Sequence, residues 1–293
     1  MSVKFYPNYI FVAGFDATAE PSILNETYTC SGGETPGAGN GPAYDLIDNR
    51  STRIITIDSS GQTTDPTIDI DLTVSISDVD FVIIDNHNLG TDVAWVTVTR
   101  NNGGTAQTIS TAYSGTRGVA SAAVSVESSV IKFSGASEDG LLLINKTADD
   151  DDNWEITMAE EAASTHQADI TIGEIGLGVK CVTTYSANAR PLESYQYQGV
   201  DITQSLGGQK YATKRFGAQR AWRLTWDLIT DTDKTNLEAM FDVVDGQTYP
   251  LWVDFGDAAT PKLHFVRFMQ DRLDFQKQTH GIYTLTIDLQ EEL

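Results

Sequence analysis

A two-residue alternation of apolar and polar side chains runs through the middle of the sequence. In TIDIDLTVSISD, residues 67–78, apolar side chains occupy every second position, and Asp, Thr and Ser dominate the positions between them. This period places one face of an antiparallel strand on a core and the other in water. The residues predicted to be buried are Ile68, Ile70, Leu72, Val74 and Ile76.

Further short strands are predicted up to about residue 186, with Gly, Ser, Asn and Asp between them. They cover residues 81–85, 93–100, 106–113, 122–126, 130–134, 141–146, 154–160 and 168–178. Many short strands at close spacing favour a β-sandwich or jelly roll. We therefore predict an acidic β-sandwich over residues 44–186, preceded by an N-terminal arm and a Gly/Pro-rich linker over residues 1–43.

Residues 187–293 are predicted to form a second β-sheet or barrel domain that carries one helix. Its aromatic strand is expected to bury Trp222, Leu224, Trp226 and Leu228 on one face. The helix is predicted over residues 231–245, because Thr230 can cap it, Asp233 follows three residues later, and Gly246 can end it. The predicted fold class is therefore mainly β.

The charge of the chain is strongly negative and unevenly spread. The formal net charge is −22, with 8 Lys and Arg against 26 Asp and Glu in residues 1–189, and 11 against 15 in residues 190–293. Phosphate binding needs clustered Lys and Arg, so nucleic acid is not expected as a partner. No segment approaches the roughly 20 apolar residues of a membrane span, and no signal peptide is predicted.

The two cysteines, Cys30 and Cys181, are too few and too far apart for a zinc module or a disulfide framework. A single disulfide bond between Cys30 and Cys181 remains as an alternative. Reduced thiols are favoured, because the chain shows no export signal.

No motif of a known catalytic or cofactor site occurs in the sequence. It lacks a nucleophile elbow, a phosphate loop, a dinucleotide fingerprint and HExxH. The four histidines, His87, His166, His264 and His280, are dispersed. We therefore expect no enzyme activity, no catalytic residues and no cofactor.

One acidic run, DDDDNW at residues 149–154, is a weak candidate for calcium. Asp149, Asp151 and Asn153 offer the oxygen ligands that this cation prefers. The EF-hand spacing is absent, however, and a charge run between two strands is more often a solvated hairpin tip. We therefore favour a hairpin tip over a metal site.

Two further short segments favour structural roles. In DNHNLG, residues 85–90, Asp and Asn side chains suit a hydrogen-bonded turn, and Gly90 can adopt positive φ. A ligand role for His87 is the lesser alternative. In IGEIGLG, residues 172–178, the glycines indicate close backbone approach rather than a phosphate site.

The order of several motifs resembles the galactose-binding-like, discoidin-type jelly roll found in bacteriophage tail and virion proteins. The matching segments are YDLID at 44–48, IDIDL at 68–72, DNHNL at 85–89 and IGEIGLG at 172–178. The C-terminal region resembles the sheet-plus-helix domain of phage tail assembly proteins. There the matching features are Gly207-Gly208, the strand at 222–224, the helix, and GQTYPLWVD at 246–254.

These resemblances imply a structural protein of a phage tail, at the distal tail, baseplate or tip complex. Its partners would be copies of itself in a symmetric homo-oligomer and other tail proteins. It would be a virion component, assembled in the bacterial host cytoplasm. The predicted interface residues are Arg215, Arg220, Trp222 and Arg223; a core tryptophan among solvated arginines is an equal alternative. The alternative function is a carbohydrate-binding module that recognises host-surface polysaccharide.

Overall fold

The structure of the protein is a computed structural model that describes most of the chain. It describes residues 3–10, 22–24, 28–30, 46, 54–63, 65–92, 94–100, 105–160, 165–187, 192–197, 200–204, 210–214, 218–256 and 260–292. The strands are β1 Lys4–Pro7, β2 Ser22–Leu24, β3 Tyr28–Cys30, β4 Ile55–Ile57, β5 Thr67–His87, β6 Trp95–Arg100, β7 Thr105–Ala106, β8 Ile109–Gly115, β9 Ala122–Glu127, β10 Val130–Lys132, β11 Gly140–Ala159, β12 Ile170–Ile172, β13 Glu174–Gly178, β14 Cys181–Val182, β15 Leu192–Tyr197, β16 Val200–Gln204, β17 Lys210–Lys214, β18 Ala218–Thr230, β19 Leu251–Asp254, β20 Leu263–Phe268, β21 Gln276–Thr279 and β22 Ile282–Glu291. The helices are α1 Leu89–Asp92, a 3-10 turn Ala136–Glu138, and α2 Asp231–Val243.

The first half of the chain forms a curled nine-stranded sheet. Its order is β13-β5-β11-β8-β9-β10-β6-β7, with β2 also on β5. The sheet curls back on itself because β11 pairs with β8 through its first half and with β6 through its second half. A three-stranded sheet, β12-β4-β3, shares one hydrophobic core with it. The predicted mainly-β fold with a sandwich-like core is confirmed.

Strands β5 and β11 are much longer than the sequence pattern predicted. Residues 67–78 and 81–85 belong to one strand of 21 residues, and residues 141–146 and 154–160 fall almost wholly within one strand of 20. Irregular residues join the parts: Asp78 has φ 59°, and the β5–β11 register shifts several times between Asn145 and Asn153. The prediction that Val74 is buried is wrong, since 59% of its surface is exposed.

The C-terminal sheet contains eight strands, ordered β14-β1-β19-β20-β22-β18-β15, with β21 on β22. Helix α2 packs on it through Leu237 and Met240, in one core with Trp222, Leu224 and Trp226. The predicted cap is confirmed, because Thr230 and Asp233 form a reciprocal capping box. The prediction that Leu228 is buried is wrong. A register shift after Trp226 turns Leu228 outward and places Ile229 in the core.

The two sheets meet through a buried aromatic contact. Trp252 on β19 lies in a cluster with Tyr6, Phe81, Ile83, Leu141, Leu143, Leu263 and Phe265. A Cβ atom at Gly176 would overlap the Trp252 ring, and one at Gly178 would overlap Tyr9. The predicted role of the IGEIGLG glycines in close approach is therefore confirmed.

A buried ion pair reinforces this contact. Asp85, 1% exposed, accepts hydrogen bonds from Arg117 Nε at 2.7 Å and Trp252 Nε1 at 3.1 Å. The loop of Arg117 also crosses to the C-terminal sheet, where Gly118 N donates to the Leu263 carbonyl at 2.7 Å. The contact thus combines apolar packing with a paired charge.

The domain boundaries at residues 43 and 186 remain predictions, since the linker at 31–43 lies outside the described residues. Strand β1, from the predicted arm, and β14, from the predicted first domain, both lie in the C-terminal sheet. Cys181 is a free, buried thiol whose pKa is raised to about 12 by burial and by Asp233. The side chain of Cys30 is not among those described. In the described segments, none of the helices has the length and apolar character that crossing a membrane would take.

Candidate functional site

The C-terminal sheet exposes one face that carries a groove of about 310 Å³, here called the ribbon groove. Strands β15, β18 and β22 form its floor, and the residue after β20 forms its rim. Its lining includes Leu192, Ala221, Arg223, Met269, Asp288 and Gln290. Arg223 and Asp288 form a bidentate ion pair, in which Nε lies 2.7 Å from Oδ1 and Nη2 lies 2.9 Å from Oδ2. The groove therefore carries apolar surface around an internally neutralised charge pair.

Strand β15 lies at the edge of this sheet. Among the described residues it pairs only with β18. Leu192 and Tyr195 on this strand are each 63% exposed, and Met269 across the groove is 50% exposed. Exposed edge strands offer unpaired N–H and C=O groups to another chain, and natural proteins usually protect them with charge or proline. This edge presents two large apolar side chains on either side of one charged residue, Glu193, whose carboxylate lies 3.7 Å from Arg220.

Strands β15 and β18 continue into a second pair of strands. β16 directly follows β15 and pairs antiparallel with β17, which directly precedes β18. Together the four strands form a hairpin whose stem belongs to the C-terminal sheet, while its β16–β17 part forms a separate two-stranded sheet. An extension of this kind provides backbone for contact beyond the sheet itself.

Arg215, one of the four predicted interface residues, lies outside the described residues. The other three do not form one surface. Trp222 is 4% exposed and stacks on Phe255 at 5.0 Å between ring centroids, so it is a core residue in the single chain. Arg220 lies over the Tyr195 ring at 5.4 Å, on the face opposite Arg223 by strand alternation. Only Arg223 reaches the ribbon groove with an exposed side chain.

The weak calcium candidates lie inside strand β11, so the favoured hairpin-tip interpretation of residues 149–153 is wrong. Asp149 forms an ion pair with Arg100 at 2.6 Å, and Asn153 donates to Asp69 at 3.3 Å. The side chain of Asp151 is outside those described. The strand continues through the acidic run because β-bulges accommodate it opposite β5. Calcium binding here stays an untested prediction.

Strands β5 and β11 also bring Asp69, Asp71 and Glu155 together on one side of the sheet. Burial, followed by the charges of Asp71 and Glu155, raises the pKa of Asp69 to about 6. The folded state therefore retains this proton to a higher pH than the unfolded chain does. The resulting stabilisation is present at low pH and is lost as the pH rises from about 4 to about 6.

Replacing Asp69 by Asn should therefore stabilise the protein at neutral pH. We expect the free energy of unfolding to rise by about 1 kcal/mol at pH 7, after allowance for solvent screening, and to change little at pH 4. Urea denaturation at both pH values measures the difference, with exposed Asp58→Asn as the control. An equal gain at the two pH values would contradict this explanation.

The DNHNLG segment forms the end of β5 and the start of α1, joined at Asn88, rather than the separate turn that was predicted. Asn86 has φ 54°, and its N–H donates to Asp85 Oδ1 at 2.8 Å. Gly90, predicted to supply the positive φ, lies in α1, where a Cβ atom would overlap the Gly135 carbonyl. His87 Nδ1 accepts from Leu89 N at 3.2 Å, and burial lowers the pKa of His87 to about 3. His87 is therefore a neutral residue at the end of β5.

A second histidine, which the sequence did not single out, lies in a buried acidic cluster. His166 and Asp92 are 2% and 0% exposed, and His166 Nδ1 lies 2.6 Å from Asp92 Oδ2. One ligand atom from each of Asp92, Glu160 and His166 lies within 4.8 Å of the others. We call Asp92, Glu160, His166 and nearby Asp65 the His166 site. The sequence contains no motif that indicates the His166 site, because its members come from three separated stretches of chain.

Comparisons with known proteins identify no family for this chain. No family model and none of the curated proteins match it. Among solved structures, a match is titled "CBM32 of AlyQ in complex with 4,5-unsaturated mannuronic acid", with 16% sequence identity and a TM-score of 0.27. The match covers 53% of this chain and 96% of that chain. A likeness this low identifies neither a family nor a ligand for this protein, and the resemblance to phage tail proteins stays a prediction.

Proposed function

We propose that this protein is a structural subunit that works by symmetric association with copies of itself, through the edge of its C-terminal sheet. The observation that carries the proposal is the edge of β15, which has no second partner strand among the described residues and exposes Leu192 on the face of the ribbon groove and Tyr195 on the opposite face. Such an edge can extend its sheet by pairing with a strand of another chain. The assembly that we propose is the bacteriophage tail, on the basis of the motif order in the sequence.

The distribution of charge supports a second copy as the partner at this edge. Residues 1–189 carry most of the excess negative charge, whereas residues 190–293 carry 11 Lys and Arg against 15 Asp and Glu. Like charges repel when two copies approach, so contact is least opposed where the net charge is smallest. The ribbon groove adds a neutral ion pair and apolar surface of the kind found in interface cores.

The proposal predicts that lysines on the edge strand will separate the copies. We expect Leu192→Lys/Tyr195→Lys to weaken self-association at least tenfold, because edge lysines place repelling charges in the contact. Analytical ultracentrifugation of the full chain over a concentration series measures the effect. The matched control is Val74→Lys/Val119→Lys, since those residues are 59% and 55% exposed on the acidic half.

Two results would overturn the edge contact. One is a wild-type chain that sediments as a monomer at every concentration. The other is an edge variant that keeps the oligomer as fully as the control variant does. The phage context has its own test, which is immunogold labelling of native particles in micrographs; labelling absent from every particle would exclude a tail role.

The carbohydrate-binding alternative has a direct test on the same protein. A glycan array probed with the full chain would show saturable binding to one polysaccharide if the acidic half recognises a host surface. That result, combined with a monomeric chain, would replace association by recognition as the function. A blank array with a concentration-dependent oligomer would favour association.

A further inference from the structure

The His166 site has the arrangement of a metal-binding histidine held by a second carboxylate. Asp92 Oδ2 engages His166 Nδ1, while Asp92 Oδ1 accepts hydrogen bonds from Gln167 N at 2.9 Å and Ala168 N at 3.0 Å. Metal-ligating histidines commonly donate one ring N–H to a carboxylate, which fixes the ring and leaves the other nitrogen for the metal. Asp92 occupies that orienting position.

The other ring nitrogen of His166, Nε2, is buried and has no hydrogen-bond partner among the described residues. Asp65 Oδ1 lies 3.8 Å from Nε2, and Glu160 belongs to the cluster of Asp92 and His166. Buried polar atoms nearly always have a partner, so an orphan nitrogen facing two carboxylates needs an explanation. A cation bound between them would provide it.

The backbone around His166 is fixed in a way that suits a preformed site. His166 N donates to the Gln62 carbonyl at 3.0 Å, and Gly61 N donates to the His166 carbonyl at 2.8 Å. His166 is therefore fixed in two ways: its backbone forms two hydrogen bonds, and its Nδ1 atom contacts Asp92. A rigid ligand reduces the entropy lost when a metal binds.

The carboxylates around His166 make the site negatively charged. Asp92 Oδ2 lies 2.6 Å from Nδ1, Asp65 Oδ1 lies 3.8 Å from Nε2, and Glu160 belongs to the cluster of Asp92 and His166. Three carboxylates around one imidazole favour the binding of a cation.

We propose that the His166 site binds a divalent first-row transition metal, of which Zn²⁺ is the test case. His166 Nε2, Glu160 and Asp65 would be the ligands, and Asp92 would orient the imidazole. One nitrogen with carboxylate oxygens suits Zn²⁺ or Mn²⁺ better than Ca²⁺, which prefers oxygen ligands alone. The metal would join the segment before β5, the end of β11 and the segment before β12.

Isothermal titration calorimetry of the full chain, freed of metal with EDTA, tests the proposal with ZnCl₂ as the probe. We expect one saturable site per chain, and a dissociation constant weakened at least tenfold by His166→Gln. The matched control is His280→Gln, which removes an exposed histidine and should leave binding unchanged. Because a change at buried His166 could unfold the chain, Asp65→Asn serves as a second variant at a 49% exposed side chain.

The ¹⁵N NMR signals of the histidine rings provide a readout that identifies the atom. Zn²⁺ should shift the Nε2 signal of His166 and leave that of His87 in place. No saturable binding, or binding that His166→Gln and Asp65→Asn both leave unchanged, would overturn the site. In that outcome the cluster would be a buried histidine held in place by carboxylates, without a metal.

Discussion

Replacing Trp252 by alanine is expected to lower the free energy of unfolding by about 4 kcal/mol, since large aromatic truncations in cores cost roughly 3–5 kcal/mol. Trp252 is 1% exposed and packs against Phe265 with ring centroids 4.8 Å apart. Its indole also donates to Asp85. The substitution would leave a cavity between the two sheets and remove one donor from a buried carboxylate.

Urea denaturation of the full chain measures this effect. The control is Trp95→Ala, because Trp95 is only half-buried and lies under Lys132 at 4.2 Å, away from the contact between the sheets. A two-step unfolding curve for Trp252→Ala would show that the sheets depend on this contact to unfold together. Equal losses for the two tryptophans would contradict the special role of Trp252.

Replacing Asp92 by alanine is the second change with a large expected effect, a loss of about 3–5 kcal/mol. Asp92 is fully buried and satisfies His166 and two backbone N–H groups. Its removal would leave His166 Nδ1 without this partner in the interior and would take the acceptor from two partly buried N–H groups, and a buried polar atom without a partner costs its full desolvation penalty.

The pH dependence of this loss follows from the raised pKa of His166. The stabilisation from the raised pKa is fully present below the ordinary histidine value, and it is lost as the pH rises through the folded pKa. The difference between wild type and Asp92→Ala should therefore shrink as the pH is raised. Thermal unfolding at several pH values, with EDTA present, measures it.

A nearby aspartate with an exposed hydrogen bond, Asp139, provides the matched control. Asp139 accepts a hydrogen bond from Thr91 N at 2.9 Å, beside Asp92, but this bond is exposed. We expect Asp139→Ala to cost about 1 kcal/mol or less, because water can replace the lost partner. A cost for Asp139→Ala equal to that for Asp92→Ala would show that burial does not set the penalty.

The local patterns of the sequence predicted the mainly-β fold. They did not predict the lengths of the strands or which strands lie at the edges of the sheets. Alternation identified the buried face at Ile68 and Ile70, and the cap at Thr230 located the helix. Alternation failed at Val74 and Leu228, because bulges and register shifts change which face a residue occupies. A pattern with strict period two contains no signal for such a shift.

The candidate sites were harder to predict than the fold. Trp222 and Arg223 are adjacent in sequence, yet one lies in the core and the other on the groove. Asp65 precedes β5, Asp92 ends α1, and Glu160 and His166 lie between β11 and β12, so the fold alone brings them together. Side chains so far apart in sequence become neighbours through long-range strand pairing, which a single sequence does not display.

Strand β1 has a consequence for how the protein is made in the cell. Lys4 pairs with Asp254, 250 residues later, in the C-terminal sheet. During synthesis this strand leaves the ribosome long before β19 exists, so it waits unpaired while the acidic half can already fold. The C-terminal sheet is completed only after β22 has been synthesised. Chains that stop before β22 therefore lack the finished sheet that the proposed self-association requires.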